Sequence, residues 1–409
     1  MLAAALVLPL LAACGTPEAG RAVEHDAAPE GSGHHAAAAA AGVWGVDVTA
    51  RGEVVDLLLA TGGHAEGEPV RLLHRRSADG GRNWSEAVEI PTGDGEPFPG
   101  QRGSEPQIAA AGDRLLVAWT ARGDSAWGTG PLATAVSSDG GGSWRPGTNP
   151  ADDGSTQGHG FHDLAATADG RFHAVWLDGR SGTGQGLRSA SSADGLSWSP
   201  NATVDTATCE CCWNRLLVGG EGEAAGELSV IYRDTGPRDL RVASLAGEGD
   251  GDGDRDRWQD RGTPAGFGWE FDGCPHVGGA LAAAGASDLP AALVWTGDET
   301  AVGLYAVPPG DDGWLSPVRL GGATARHGDL VASRGELVAV WDETGDGEGA
   351  VFAARSADGG ASWSSPERLA AGAGTSHPLA VDAGGSVVVV WTETAAGGES
   401  SWGSARLGG

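Results

Sequence analysis

From about residue 43 onward the chain alternates short apolar runs with breaks rich in glycine and aspartate. Six of these runs end in an aromatic: LLVAW at Trp119, HAVW at Trp176, LSVIY at Tyr232, AALVW at Trp295, LVAVW at Trp341 and VVVVW at Trp391. Each is preceded by another short run, such as PQIA from Pro106 or DLVA from Asp329. Each is followed by a third run and then a fourth, such as WSEAVEI or WSSPERL. Runs of this length, rich in β-branched residues and bounded by Gly/Asp turns, read as β-strands. Four strands per repeat predict an all-β chain folded as a single β-propeller, whose radial repetition leaves only short, protected edges. First-strand starts near residues 43, 105, 162, 214, 278, 328 and 377 give seven blades. The last repeat has three visible strands, so the ring is expected to close with an N-terminal strand. Six blades is the alternative if one terminal repeat is not a true blade.

The break between the third and fourth runs has its own pattern. It reads Ser77-Ala-Asp79-Gly-Gly-Arg-Asn-Trp84, Ser137-Ser-Asp139-Gly-Gly-Gly-Ser-Trp144, Ser192-Ala-Asp194-Gly-Leu-Ser-Trp198 and Ser356-Ala-Asp358-Gly-Gly-Ala-Ser-Trp363. Three fit S-x-D-x-G-x-x-W and one is a residue short; degenerate versions end at Trp258 and Trp314. Asp and Gly close a tight turn through side-chain-to-backbone bonds and positive-φ positions, and the Trp then packs between sheets.

In a four-stranded antiparallel blade, the one–two and three–four turns share one face. The two–three turns and the crossovers to the next blade share the other. The Ser/Asp/Gly/Trp turns are therefore structural, and functional loops are expected just before strand one and just after strand two, around the central channel. The loops before strand one hold Glu105, His162 and Asp163, the run from Cys209 to Arg215, Cys274 and His276, Arg326 and His327, and His377. His162, His327 and His377 are expected at the channel mouth. The loops after strand two add Arg122, Asp178, Arg180, Arg233, Asp234, Arg238, Asp239, Asp298, Glu299, Asp342, Glu343 and Glu393.

The turns are similar to the Asp-box (BNR) repeats of the sialidase superfamily, a resemblance that spans nearly the whole domain. The combination Cys209-x-Cys-Cys-Trp213, Tyr232-Arg-Asp234 and Gly273-Cys-Pro-His276 also resembles a group of bacterial secreted sialidase-like proteins. The resemblance implies an exo-alpha-sialidase-like glycoside hydrolase. Such an enzyme holds the substrate carboxylate with three arginines, and uses a tyrosine nucleophile helped by a glutamate and an aspartate as acid/base. The positions open to these catalytic roles are Asp163, Glu105, Arg215, Arg233, Arg238, Arg326 and Tyr232. Two departures stand against the full set. Only two tyrosines exist, Tyr232 and Tyr305, and Tyr232 stands where five other repeats have Trp. The early Arg-Ile-Pro signature is absent, its nearest counterpart being Glu89-Ile-Pro91. A shared fold does not confer activity. The expected function is recognition or hydrolysis of glycans outside the cell; the alternatives are a metal-binding propeller and a non-catalytic protein-interaction propeller at the envelope.

Four cysteines lie in the repeat region: Cys209, Cys211, Cys212 and, about one blade later, Cys274. An even number in an exported domain points to disulfides, with Cys274 paired to one of the trio and the other two closing a small loop. The alternative is a metal site in which these thiols, with His276, His162, His327 or His377 nearby, hold copper or zinc.

Composition narrows the setting. The 409 residues carry a formal charge of −29, and every basic group is arginine because the chain has no lysine. That charge excludes a nucleic-acid partner, whose phosphates need a basic footprint, and excludes docking of the protein face on an anionic membrane. Residues 1–14, MLAAALVLPLLAAC, form an apolar stretch too short to span a bilayer and read as a signal peptide. Leu11-Ala12-Ala13-Cys14, followed by Gly15, resembles the bacterial lipobox, in which the cysteine is lipidated. Residues 15–41 are Ala, Gly, Glu, Pro and His without periodicity and read as a flexible tether, with residues 42–409 as the propeller. The expectation is an exported monomer, attached to the outer face of the cell membrane through its N-terminal lipid alone, with a glycan or an envelope protein as partner.

Overall fold

The computed structural model describes residues 42–63, 68–99, 102–125, 128–156, 158–182, 184–219, 227–245, 257–285, 287–345, 347–395 and 398–408. Cys14 and the expected signal peptide and tether lie outside the described residues. Every regular element among the described residues is a β-strand.

Seven antiparallel sheets follow one another along the chain. Their innermost strands are Val43–Arg51, Gln107–Ala111, His159–Ala166, Arg215–Val218, Ala280–Ala282, Arg326–Ser333 and Ser376–Asp382. Blades 1 to 6 have four strands each, and blade 7 has three among the described residues. The count is seven, not the six that the sialidase resemblance implies.

The core is divided into seven apolar clusters, one at each blade-to-blade interface. Leu58, Leu72, Val117 and Trp119 join blades 1 and 2, and Leu116, Val136, Phe172 and Trp176 join blades 2 and 3. The ring closes where Val46, Leu57 and Leu59 of blade 1 meet Val388, Val390 and Trp402 of blade 7. There Trp84 meets Trp402 edge-on at 5.6 Å, and Gly42 N donates to Ser400 O at 3.1 Å. This partition follows from the strand pattern. Side chains alternate between the two faces of each sheet, and both faces are covered by neighbouring blades, so strands two read as continuous apolar runs.

Strand-two aromatics Trp119, Trp176, Tyr232, Trp341 and Trp391 all pack toward the preceding blade. Trp295 does not: it faces blade 6 with Trp269 and Leu293, while Val294 faces blade 4. A one-residue offset reverses the face of a strand residue, so Trp295 is not equivalent to the others despite its matching run. Three of the strand-two indole N–H groups are satisfied two residues on, whereas that of Trp295 has no partner among the described residues. Trp176 donates to Asp178 (3.0 Å), Trp341 to Glu343 (2.9 Å) and Trp391 to Glu393 (2.8 Å). Three of the carboxylates expected to serve function therefore cap core tryptophans.

The Asp-boxes join strands three and four, as expected. In blade 1, Ser77 Oγ accepts from Gly81 N at 2.9 Å and donates to Asp79 Oδ1 at 2.8 Å, and Asp79 Oδ1 accepts from Asn83 N at 2.9 Å. Gly80 N donates to Glu53 O in the one–two turn, which fixes both turns on one face. At Gly141 (φ 86°) a Cβ would lie 2.1 Å from His74 of blade 1, so only glycine fits between the blades.

Candidate ligand site at the channel mouth

The channel is lined at one level by residues at equivalent register. Gln107 pairs with Ala118, Asp163 with Val175, Arg215 with Ile231 and Asp329 with Val340, each partner lying just before the strand-two aromatic. Asp47 of blade 1 joins them. Three of these positions form the same bridge to the next blade. Asp47 accepts from Ile108 N (2.7 Å), Asp163 from Leu216 N (2.6 Å) and Asp329 from Ala380 N (2.9 Å). Each aspartate thus ties one innermost strand to the next through an amide that its own sheet leaves free.

Arg215 is the cation of this level, reaching Gln107 Oε1 at 3.0 Å and Asp163 Oδ1 at 3.3 Å. Burial opposes its charge, but Asp163, Asp329, Asp47 and Glu105 hold it protonated and raise its pKa. One arginine does not neutralise three aspartates. Burial pushes the Asp47 carboxyl up to about 7, against the pull of Arg215 and with a further push from Asp163. Asp163 and Asp329 are also raised, again chiefly by burial.

Above this level lies the mouth, lined by Arg102, Glu105, His162, Trp213, Asn214, His327 and His377. His327 (φ 43°) and His377 (φ 56°) here, and Phe161 and His276 (φ 50° each) in the neighbouring cavity wall, adopt left-handed backbone conformations that are rare outside glycine. At Phe161, His327 and His377 the register of the innermost strand shifts. These are bulges, which re-aim side chains and recur beside functional sites.

His327 and His377 stack at 3.9 Å. Asp342 Oδ2 lies 2.8 Å from His327 Nδ1 and accepts from His377 N at 2.8 Å. The carboxylate orients the His327 ring through Nδ1 and turns Nε2 away from Asp342, the arrangement of an oriented imidazole. His162 is 2% exposed. Its Nε2 donates to Ala118 O at 3.0 Å, and its Nδ1 has no partner among the described residues. Burial lowers its pKa to about 4, so the ring is neutral.

Trp213 crosses the mouth. It approaches His327 at 5.7 Å and His377 at 6.1 Å, and glycines make room for it, since a Cβ on Gly103 or Gly278 would fall 2.4 or 2.2 Å from the indole. Arg102 reaches Thr392 Oγ1 at 3.3 Å and Glu105 at 3.6 Å, and Glu105 accepts from Gly103 N at 2.7 Å.

The catalytic candidates divide. Glu105, Asp163 and Arg215 come together at the mouth and the channel below it. Arg233 is buried, its guanidinium donating to Val277 O and Trp295 O at 2.9 and 3.0 Å. Arg238 donates to Phe271 O, and Arg326 lies over the Trp295 ring. None of these three lines the mouth. Tyr232 is buried in the blade 3–4 core, its hydroxyl donating to Asp205 at 2.8 Å. Burial and then Asp205 raise its pKa, the reverse of what an activated nucleophile needs. Arg102 carries no repeat signal in the sequence; Asp163 and Asp329 carry a loose one, lying 13 and 12 residues before Trp176 and Trp341.

The four cysteines stand as free thiols, with none of the expected disulfide pairs at bonding distance. The turn after Thr208 points three thiols at one spot rather than pairing them. Cys209 Sγ lies 3.0 Å from Cys212 Sγ and 3.8 Å from Cys211 Sγ. A separate cavity of about 620 Å³ adjoins this turn, with Ser104, Phe161, Arg180, Glu210, Cys211, Cys274 and His276 among its walls. Also in its wall, His159 faces Asp153 and Asp178 at 3.5 Å each. Asp178 is already taken by Arg180 (2.7 Å), and burial lowers the pKa of His159, so the ion pair here is Arg180 with Asp178 and the imidazole packs beside it.

No protein-family model matches the chain, and no curated protein matches its sequence. Solved structures do share its fold. A protein of unknown function from Dyadobacter fermentans is 13% identical, with a TM-score of 0.52 over 90% of this chain and 94% of that one. The α-L-arabinanase of Penicillium chrysogenum, complexed with arabinobiose, is 14% identical, with a TM-score of 0.48 over 90% and 93%. The intramolecular trans-sialidase of Ruminococcus gnavus, in complex with oseltamivir carboxylate, is 12% identical, with a TM-score of 0.48 over 90% and 94%. At such identities the likeness is one of fold. That fold is the β-propeller, here with Ser/Asp/Gly turns joining strands three and four.

Proposed function

We propose that the protein recognises glycans at the channel mouth and does not cleave sialosides through a tyrosine nucleophile. One observation carries the first part. Loops from different blades bring a half-buried tryptophan together with an arginine, a carboxylate, an amide and three imidazoles. A pocket that mixes an aromatic face with a few fixed polar groups suits a ligand with an apolar face and many hydroxyls. The second part rests on the placement of both tyrosines. Tyr232 is engaged with Asp205, and the Tyr305 hydroxyl donates to Ala301 O at 2.7 Å. We further propose export and anchoring through a lipid on Cys14, on the pattern of residues 1–14.

The test is a printed glycan array probed with the full chain lacking its lipid, beside a fluorogenic sialoside assay. Selective glycan binding without release of the fluorophore is expected. Absence of binding to every glycan, or sialoside turnover that persists at high purity, overturns the reading. For the anchor, Cys14→Ser is expected to move the protein from the membrane fraction to the soluble exported fraction.

A further inference from the structure

We propose that Cys209, Cys211, Cys212, Cys274 and His276 form a binding site for a thiophilic metal ion, Cu(I) or Zn(II). The site is distinct from the channel mouth. Two groups of ligand atoms overlap at Cys211. The sulfurs of Cys209, Cys211 and Cys212 lie within 4.8 Å of one another, and so do the ligand atoms of Cys211, Cys274 and His276. Ligands 2.3 Å from a tetrahedral ion sit roughly 3.8 Å apart, and the Cys209–Cys211 separation is 3.8 Å.

The surroundings fit this chemistry. Cys209, Cys211 and Cys212 are buried, at 1%, 4% and 1% exposure, within the blade 3–4 core. Three thiols in one apolar place form a soft donor set, which selects Cu(I) or zinc over hard cations. Arg233 and Arg238 act electrostatically on Cys212 and Cys209, so positive charge lies close to offset that of the thiolates. Cys274 is exposed, and it lines the 620 Å³ cavity with Cys211 and His276, giving an ion a route in and an open side. The left-handed backbone at His276 (φ 50°) holds its imidazole beside the sulfurs. Binding transfers no electrons: each ligating thiol releases its proton to solvent as its sulfur joins the ion.

The experiment uses the full chain, purified from an exporting host both anaerobically and in air. Elemental analysis and a free-thiol count are followed by competition titrations, with bathocuproine disulfonate for Cu(I) and a chromophoric chelator for Zn(II). The structure predicts saturable binding of one of these ions, weakened at least about tenfold by Cys211→Ser and by Cys274→Ser. Cys274 is exposed, so its variant keeps the core intact, and an unchanged far-ultraviolet spectrum confirms that the chain is folded. The more weakened competition arm identifies the ion. Affinity unchanged in both variants overturns the proposal, as does an exported protein without metal whose four thiols are all locked in disulfides. Either result leaves glycan binding at the mouth untouched, since none of the five ligands lines it.

Discussion

Replacing Asp47 with asparagine should make the protein more stable at alkaline pH. Asp47 is 6% exposed, and its carboxyl, ordinarily at 3.8, is pushed up to about 7 by burial. Between these values the folded chain holds a proton that the unfolded chain has lost. Stability therefore falls as pH rises from about 4 to 7, and the full cost is present above 7. A carboxyl moved this far carries roughly 4 kcal/mol against its charged form, an upper figure because Arg215 and the other channel aspartates readjust. Asparagine keeps an oxygen for Ile108 N, which donates to Asp47 at 2.7 Å, and removes the charge. Urea unfolding at pH 5 and pH 8 is the assay. Asp47→Asn should exceed the unsubstituted protein by about 1–2 kcal/mol at pH 5 and by about 2–4 kcal/mol at pH 8. If the variant is no more stable at pH 8, the channel level does not hold a strained carboxylate and the charge balance around Arg215 is wrong.

Ser77→Ala deletes a buried hydroxyl that serves Gly81 N and Asp79, and should cost about 1–3 kcal/mol in unfolding while leaving glycan binding unchanged. Tyr232→Phe loses only the bond to Asp205. It should cost about 1 kcal/mol with no effect on ligand binding, and a loss of binding would return the tyrosine to the site. Asp342→Asn removes the carboxylate that orients His327 and should weaken glycan binding about tenfold in a direct titration.

The repeat architecture was legible because strand alternation and turn chemistry are local, and a propeller writes them once per blade. The Ser77, Ser137, Ser192 and Ser356 turns fall where their spacing puts them. Trp295 shows the limit of that logic. Its run looks like the others, but face depends on register, which only the pairing of strands decides. Site residues were legible where the same periodicity carried them, as with Glu105 just before its innermost strand and His162, His327 and His377 at the bulges within theirs. Arg233 and Tyr232 looked chemical because of their residue types. Their roles depend on which neighbours they meet, and those are Val277 O, Trp295 O and Asp205. The carboxylates at Asp178, Glu343 and Glu393 were ambiguous for the same reason. An indole N–H two residues earlier claims each of them.

Glycan recognition at the mouth is tested most directly by calorimetric titration of the best array ligand into the unsubstituted protein, Trp213→Ala and Arg102→Ala. Arg102 has a partly exposed side chain, 40% accessible, so its removal leaves the blades intact. The predicted result is affinity reduced by at least about thirtyfold for Trp213→Ala, the loss of about 2 kcal/mol typical of a central aromatic anchor. A smaller loss is predicted for Arg102→Ala. Equal affinity in all three proteins would place the ligand elsewhere and contradict the assignment of the mouth as the binding site.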